Sequence, residues 1–211
     1  MLMSVTLLAT MVVGGTLASE ILSPTDFNNS EKQAVLIEQN VTASELIPPY
    51  SDYTVSVTNK SSDKVYVRTL LAFEALKDGT EPYLSLDETI QPIMEYVEGS
   101  TEQRQVQVVM NEKQYDVYEC YYSLEKGETK ACLQGFDFTT TVTNNDFADE
   151  QYCIMALSQA LMAEEGQADQ IAVPENRKQL FGAVTSKNNP WISTIETTEE
   201  TKSTEINIEV Q

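Results

Sequence analysis

Apolar and polar residues alternate with period two through most of the body of the chain, the spacing of a half-buried β-strand. Tyr53-Thr54-Val55-Ser56-Val57-Thr58 is apolar at every second position and stops at Asn59-Lys60-Ser61-Ser62-Asp63, a turn-forming cluster. The alternation resumes at once in 64–74, where Val65, Val67, Thr69, Leu71 and Phe73 share a face, so the two runs read as a hairpin. Arg68 falls on the opposite face, either exposed or paired with a carboxylate at the core edge. Residues 105–110 and 115–122 form a second pair around the turn 111–114. A polar turn at 124–129 returns into a strand over 130–142, and 33–39 reads as an earlier strand. Proline is kept to connections such as Ile47-Pro48-Pro49-Tyr50. So many short strands with alternating faces predict an all-β protein, an antiparallel β-sandwich of two sheets.

Two segments depart from the alternation. Tyr152 to Met162 is almost wholly apolar, and periodicity allows a buried strand or a helix. The stretch 174–182 reads as a short helix, with Pro174 in its first turn, Glu175 complementing the N-terminal dipole and Gly182 closing it. After Trp191 the composition changes. Residues 192–211 are rich in Thr and Glu, hold one Lys against five Glu, and read as a disordered acidic tail. Within that tail, Glu205 to Val210 alternates and is competent to pair with an open sheet edge.

The first eighteen residues follow a different pattern. They carry no charged side chain. An apolar run from Val5 to Val13 gives way to Gly14-Gly15 and then Thr16-Leu17-Ala18, the order of a signal-peptide apolar region, a helix-breaking pair and a small-x-small cleavage site. The run is shorter than the ~20 apolar residues that span a bilayer. Cleavage is expected near Ala18 and Ser19, leaving a domain over 19–191 and the tail over 192–211. No second apolar stretch follows, so export without stable membrane insertion is expected.

Composition removes several functions. The chain has 33 Asp and Glu against 13 Lys and Arg, a formal charge of −20, and no histidine. That field opposes nucleic-acid binding, which needs a basic surface to displace counterions from phosphates. Without imidazole, Ser-His-Asp and Cys-His catalysis and HExxH-type zinc hydrolysis are all closed. Carboxylate pairs such as Asp149-Glu150 and Glu164-Glu165 read as solvated surface, with a divalent cation held by clustered oxygens as the sharper alternative. The three cysteines suit an oxidising compartment. Cys120 and Cys132 flank the Gly127 turn and are the candidates for a disulfide across a hairpin. Cys153 is left as a free thiol, either buried and inert or available for an intermolecular bridge.

Taken in order, these segments resemble the TasA/camelysin-like family. Val13 to Ala18 is similar to the VGGTLA end of signal peptides cleaved by the SipW-type signal peptidase. Val57-Thr58-Asn59-Lys60-Ser61-Ser62-Asp63 and Val65-Tyr66-Val67-Arg68-Thr69 resemble the VKNTGSxDAYVRT region. Leu124 to Thr129 is similar to the LxPGETT turn, although the proline is absent. Thr143-Asn144-Asn145-Asp146 stands where many members have TNED. Ile154 to Leu161 resembles ILVLSQAVQA, followed by a short helix ending in Phe-Gly and by Asn188-Asn189-Pro190-Trp191.

The resemblance implies a jelly-roll-like sandwich in which Ile154 to Leu161 is a strand. It also implies a secreted, biofilm fibre-type structural protein of the Gram-positive extracellular matrix or cell surface. Its partners would be copies of itself or related matrix proteins, and the signal peptidase during export. The self-association expected is strand addition, with 20–39 or 205–210 as the donor. Camelysin-like members are described as surface metalloendopeptidases, and that activity is the alternative.

Overall fold

All ten residues of the strand Val65–Glu74 are buried in the computed structural model, so the sheet that holds it must be covered on both faces. The structure describes residues 6–12, 17–20, 35–42, 50–77, 84–139, 142, 146–147, 152–163 and 169–191. Among these the strands are β1 (Thr6–Val12), β2 (Leu17–Glu20), β3 (Ile37–Thr42), β4 (Tyr50–Asn59), β5 (Val65–Glu74), β6 (Leu84–Ser85) and β7 (Gln91–Pro92). They continue with β8 (Met94–Tyr96), β9 (Gln103–Gln105), β10 (Gln107–Met110), β11 (Lys113–Leu124), β12 (Thr129–Phe138) and β13 (Ile154–Met162). One α-helix is present among the described residues, α1 (Pro174–Phe181), after a 3-10 turn at Gln170–Ala172.

The strands form two antiparallel sheets. Sheet A runs β1-β13-β5-β11-β10, with β7 also on β11, and sheet B runs β2-β3-β4-β12-β6. β8 and β9 make a separate two-stranded ribbon. The all-β sandwich expected from the alternation is therefore the observed fold. Of the segment 152–162, Ile154–Met162 is strand, β13, lying between β1 and β5.

The pairings correct two expectations. The runs on either side of 59–63 are not a hairpin: β4 pairs with β3 and β12, whereas β5 pairs with β11 and β13. Likewise β11 and β12 belong to different sheets. Both turns are arches that carry the chain from one sheet to the other. Asn59 explains why. Its side chain is fully buried and its amide donates to the carbonyls of Asp63 and Leu124, while its oxygen accepts from Ser61 N–H. Its backbone bonds Glu128 and Gly127, so one residue fastens the two arches to each other. A buried amide satisfied on every side costs no desolvation penalty and specifies the crossing.

The expected pair around 111–114 is a true hairpin, tighter than anticipated. Met110 faces Lys113, leaving Asn111 and Glu112 as the two-residue loop, both with positive φ (50° and 65°). That is the geometry of a type I′ turn, whose twist matches paired strands. The early strand lies later than expected, at Ile37–Thr42, and the strand after Gly127 ends at Phe138.

The inner core lies between the sheets. Val65, Val67, Leu71 and Phe73 of β5 meet Tyr53, Val55 and Val57 of β4 and Leu133 and Phe136 of β12. Phe73 stacks edge-on against Tyr118 and Phe136, with ring centroids 5.4 and 5.3 Å apart. The face of β5 expected to be buried is this inner one. The opposite face of sheet A is buried as well: Leu70, Ala72, Val117, Met155 and Leu157 pack beneath Ile93, Val106, Val184 and Trp191. Pro174 opens α1 and Gly182 ends it at φ 76°, as the sequence suggests. The acidic tail expected over 192–211 lies outside the described residues.

Candidate functional site

Three places gather chemistry or unsatisfied pairing capacity. The first is the sheet edge formed by the N-terminal segment. Thr6–Val12 runs antiparallel along β13, pairing Thr6 with Ala160 through Val12 with Ile154. Leu17–Glu20 then pairs with β3, so one short stretch of chain supplies the outer strand of both sheets. The apolar run read as an export signal overlaps the first of these strands. Ala18 and Ser19, the expected cleavage position, sit within the second, opposite Asn40 and Gln39. Of the two expected donor segments, 20–39 is described only at Glu20 and from 35 onward, and 205–210 lies outside the described residues.

The second place is a buried polar chain spanning the two sheets. The Tyr122 hydroxyl is 2.8 Å from Thr69 Oγ1, which is 2.9 Å from Ser158 Oγ, and Ser158 donates to Gln39 Oε1 at 2.6 Å. Gln39 Nε2 donates to the Ala156 carbonyl across the sandwich. Thr69, Ser158 and Gln39 are wholly shielded from solvent. This chain ties β11, β5 and β13 to β3. It is the arrangement that makes a buried polar network worthwhile: every member is bonded.

Cys120 and Cys132 lie beside it. Both are unbridged and buried, on β11 and β12, and the Cys132 thiol donates to the Val55 carbonyl at 3.4 Å. They therefore oppose one another between the sheets, not across a hairpin, because the Gly127 turn is an arch. The neighbouring Cys132 thiol and burial together hold the Cys120 thiol well above its ordinary pKa.

The third place is on the outer face of sheet A. Glu74 ends β5, Lys113 opens β11 and Cys153 immediately precedes β13, which puts all three at the same end of adjacent strands. Lys113 Nζ is 3.3 Å from Glu74 Oε2 and 3.3 Å from Cys153 Sγ, and the Cys153 amide donates to Glu74 Oε2 at 2.9 Å. Only 1% of Glu74, 8% of Lys113 and 4% of Cys153 is exposed. Burial pushes the Lys113 ammonium down, but Cys153 and Glu74 outweigh it and the net direction is up. Burial raises the Cys153 thiol against the opposing pull of Lys113. The expected free thiol is thus buried and reduced, but it is in contact with an amine. An intermolecular bridge through it would require this end of the sheet to open.

Arg68 corrects an expectation in the same region. It is buried, and among the described residues it makes no ion pair. Its guanidinium donates to Gln159 Oε1 and to the carbonyls of Phe181 and Gly182 at 2.7–2.8 Å, with the Phe181 ring 5.3 Å away. A cation at the C-terminal end of α1 meets carbonyls that the helix leaves unpaired, and so clamps the covering segment onto sheet A.

Asp149-Glu150 and Glu164-Glu165 lie outside the described residues. Among the described residues no three Cys, Asp or Glu side chains gather closely enough to hold a metal ion. No described helix is long and apolar enough to cross a membrane. No protein-family model matches the chain, and no curated protein matches it.

The sequence reading missed Glu74, Lys113 and Gln39. Gln39 was findable, since it occupies an inward position in the alternation of β3. Lys113 was hidden by its place in an expected turn.

Proposed function

We propose that the protein is an exported structural subunit that associates with copies of itself, or with related matrix proteins, by strand addition outside the cell. The observation that carries this reading is the position of residues 6–12 and 17–20 on the outer edges of β13 and β3. Removal of residues 1–18 by a signal peptidase would expose the seven positions of β13 that pair with β1, and half of the edge that β2 supplies. An apolar strand with unpaired backbone groups is a template for another extended segment, which main-chain hydrogen bonds would hold and alternating side chains would keep in register. The TasA/camelysin-like resemblance supports it further, and the −20 charge constrains it. Like-charged subunits repel, so assembly should be promoted by salt, divalent cations or acid. In an oxidising medium Cys120 and Cys132 would close a disulfide between the sheets, holding the sandwich shut while its edge is open.

The test compares the full chain with a chain that begins at Ser19, by size-exclusion chromatography and negative-stain microscopy across salt and pH. The processed chain is expected to form filaments or large oligomers and the full chain to remain small. A processed chain that stays monomeric at high concentration in every condition overturns the reading. Casein turnover that is lost with chelator and restored by zinc would replace it with the peptidase alternative.

A further inference from the structure

We propose that Lys113 and Cys153 form a covalent nitrogen–oxygen–sulfur bridge on oxidation, with Glu74 as the neighbouring proton acceptor. The inference is independent of the strand-addition reading and rests on the outer face of sheet A. An amine and a thiol rarely share a buried site, and here Nζ and Sγ are 3.3 Å apart with the same carboxylate oxygen bonding both residues. Each partner is fixed by the fold. Lys113 begins β11 directly after the two-residue turn, Glu74 faces Tyr115 across the β5–β11 ladder, and Cys153 sits one residue before Ile154, which faces Phe73. Neither side chain has to leave its strand to reach the other, so the close approach that such a bond needs is already present.

The chemistry balances with dioxygen as the oxidant. The Cys153 S–H bond, two N–H bonds of the Lys113 ammonium and the O–O bond break. One oxygen atom then bonds both nitrogen and sulfur. The other leaves as water with two of the hydrogens, and the remaining proton passes to the Glu74 carboxylate and on to solvent. Sulfur and nitrogen each give up two electrons, and dioxygen takes all four. The carboxylate serves by holding the ammonium beside the sulfur and by taking up the proton that the nitrogen releases as the N–O bond forms. Burial serves by keeping other thiols and bulk reductants away from the sulfur, which favours this product over mixed disulfides. Once formed, the bridge would staple the start of β11 to the start of β13 across the end of β5, linking three strands of one sheet.

The experiment is a peptide map of the full chain, exposed to air, split into untreated and reduced halves, and digested with trypsin plus a glutamate-specific protease, whose cuts after Glu112, Glu119, Glu128 and Glu150 place Lys113, Cys120, Cys132 and Cys153 on four different peptides. The expected result is one linked species that joins the peptide holding Lys113 to the peptide holding Cys153. It should be heavier than the two reduced peptides by one oxygen and lighter by two hydrogens, with cleavage after Lys113 blocked. Reductant should abolish it and restore both peptides. Mapping is needed because a sulfenic acid on Cys153 plus a Cys120–Cys132 disulfide would give the same intact mass. Lys113→Arg keeps the charge beside Glu74 but removes the primary amine, and the linked species is expected to vanish. Cys153→Ser should remove it too. Absence of the linked peptides from the oxidised wild-type chain overturns the proposal, whether or not either variant folds. So does sulfenic acid as the only product on Cys153, or persistence of the linked species in either variant.

Discussion

Sheets A and B hold the same kind of ion pair in opposite surroundings. On sheet A, Lys113 and Glu74 are 3.3 Å apart with side chains only 9% and 1% exposed. On sheet B, Lys60 and Glu38 are closer, at 2.7 Å, but their side chains are 52% and 31% exposed. The shorter contact is the weaker one. Water and salt screen the pair on sheet B, whereas the pair on sheet A has given up its hydration and depends on its partners. The sheets differ in the same sense: β5 is buried at all ten positions, while β3 alternates between buried and accessible side chains. Sheet B is an ordinary half of a sandwich. Sheet A is an interior layer, covered on one side by sheet B and on the other by the β8–β9 ribbon and the segment around α1.

The largest test of that contrast is Glu74→Ala, which leaves the Lys113 ammonium buried without its carboxylate. A loss of about 3–5 kcal/mol is expected from chemical denaturation. Arg68→Ala should come next. It removes three hydrogen bonds that clamp the cover, for about 1.5–3 kcal/mol, and should speed proteolytic cutting around α1 before the sandwich itself unfolds. Glu38→Ala on sheet B should cost at most about 1 kcal/mol and lose even that at high salt. Its pH dependence has a definite sign. The hydrogen bond from Lys60 holds the Glu38 carboxyl below its ordinary pKa, so its contribution is present above that value and fades as pH falls through the folded one. If Glu74→Ala and Glu38→Ala proved equally costly, the two-layer contrast would be wrong.

The same contrast explains what could be read from the chain. Tyr53 to Thr58 alternates in sequence because β4 has one face against the core, and the face expected to be buried was the buried one. In β5 the alternation is blurred by Leu70 and Ala72, a sign of the second covered face that the half-buried reading of the strand left out. Arg68 misled, since a guanidinium in a strand reads as exposed unless the carbonyls at the end of a distant helix are known to reach it. The arches were invisible for a related reason. A turn cluster such as 59–63 announces that the chain reverses, but not whether the next strand pairs beside the last or crosses to the facing sheet. That choice is made by Asn59, whose bonds to Leu124 and Glu128 span more than sixty positions of sequence. Lys113 and Cys153 come together through strand order, which local pattern does not encode.

The far edges of the two sheets carry a last consequence. Opposite the β1 side, sheet A ends in the four residues of β10 and the two of β7, where Pro92 has no N–H to offer, and sheet B ends in the two residues of β6. Such borders are too short and interrupted to recruit another strand. Under the proposed strand addition, the described edges would leave only the β1–β2 side for incoming strands, so the assembly would be linear, with distinguishable ends, and would not spread as a plane. In such an assembly a copy that kept residues 6–12 and 17–20 in place would join as a donor and offer nothing to the next, so a small proportion of unprocessed chains would act as stoppers and set the length of the polymer.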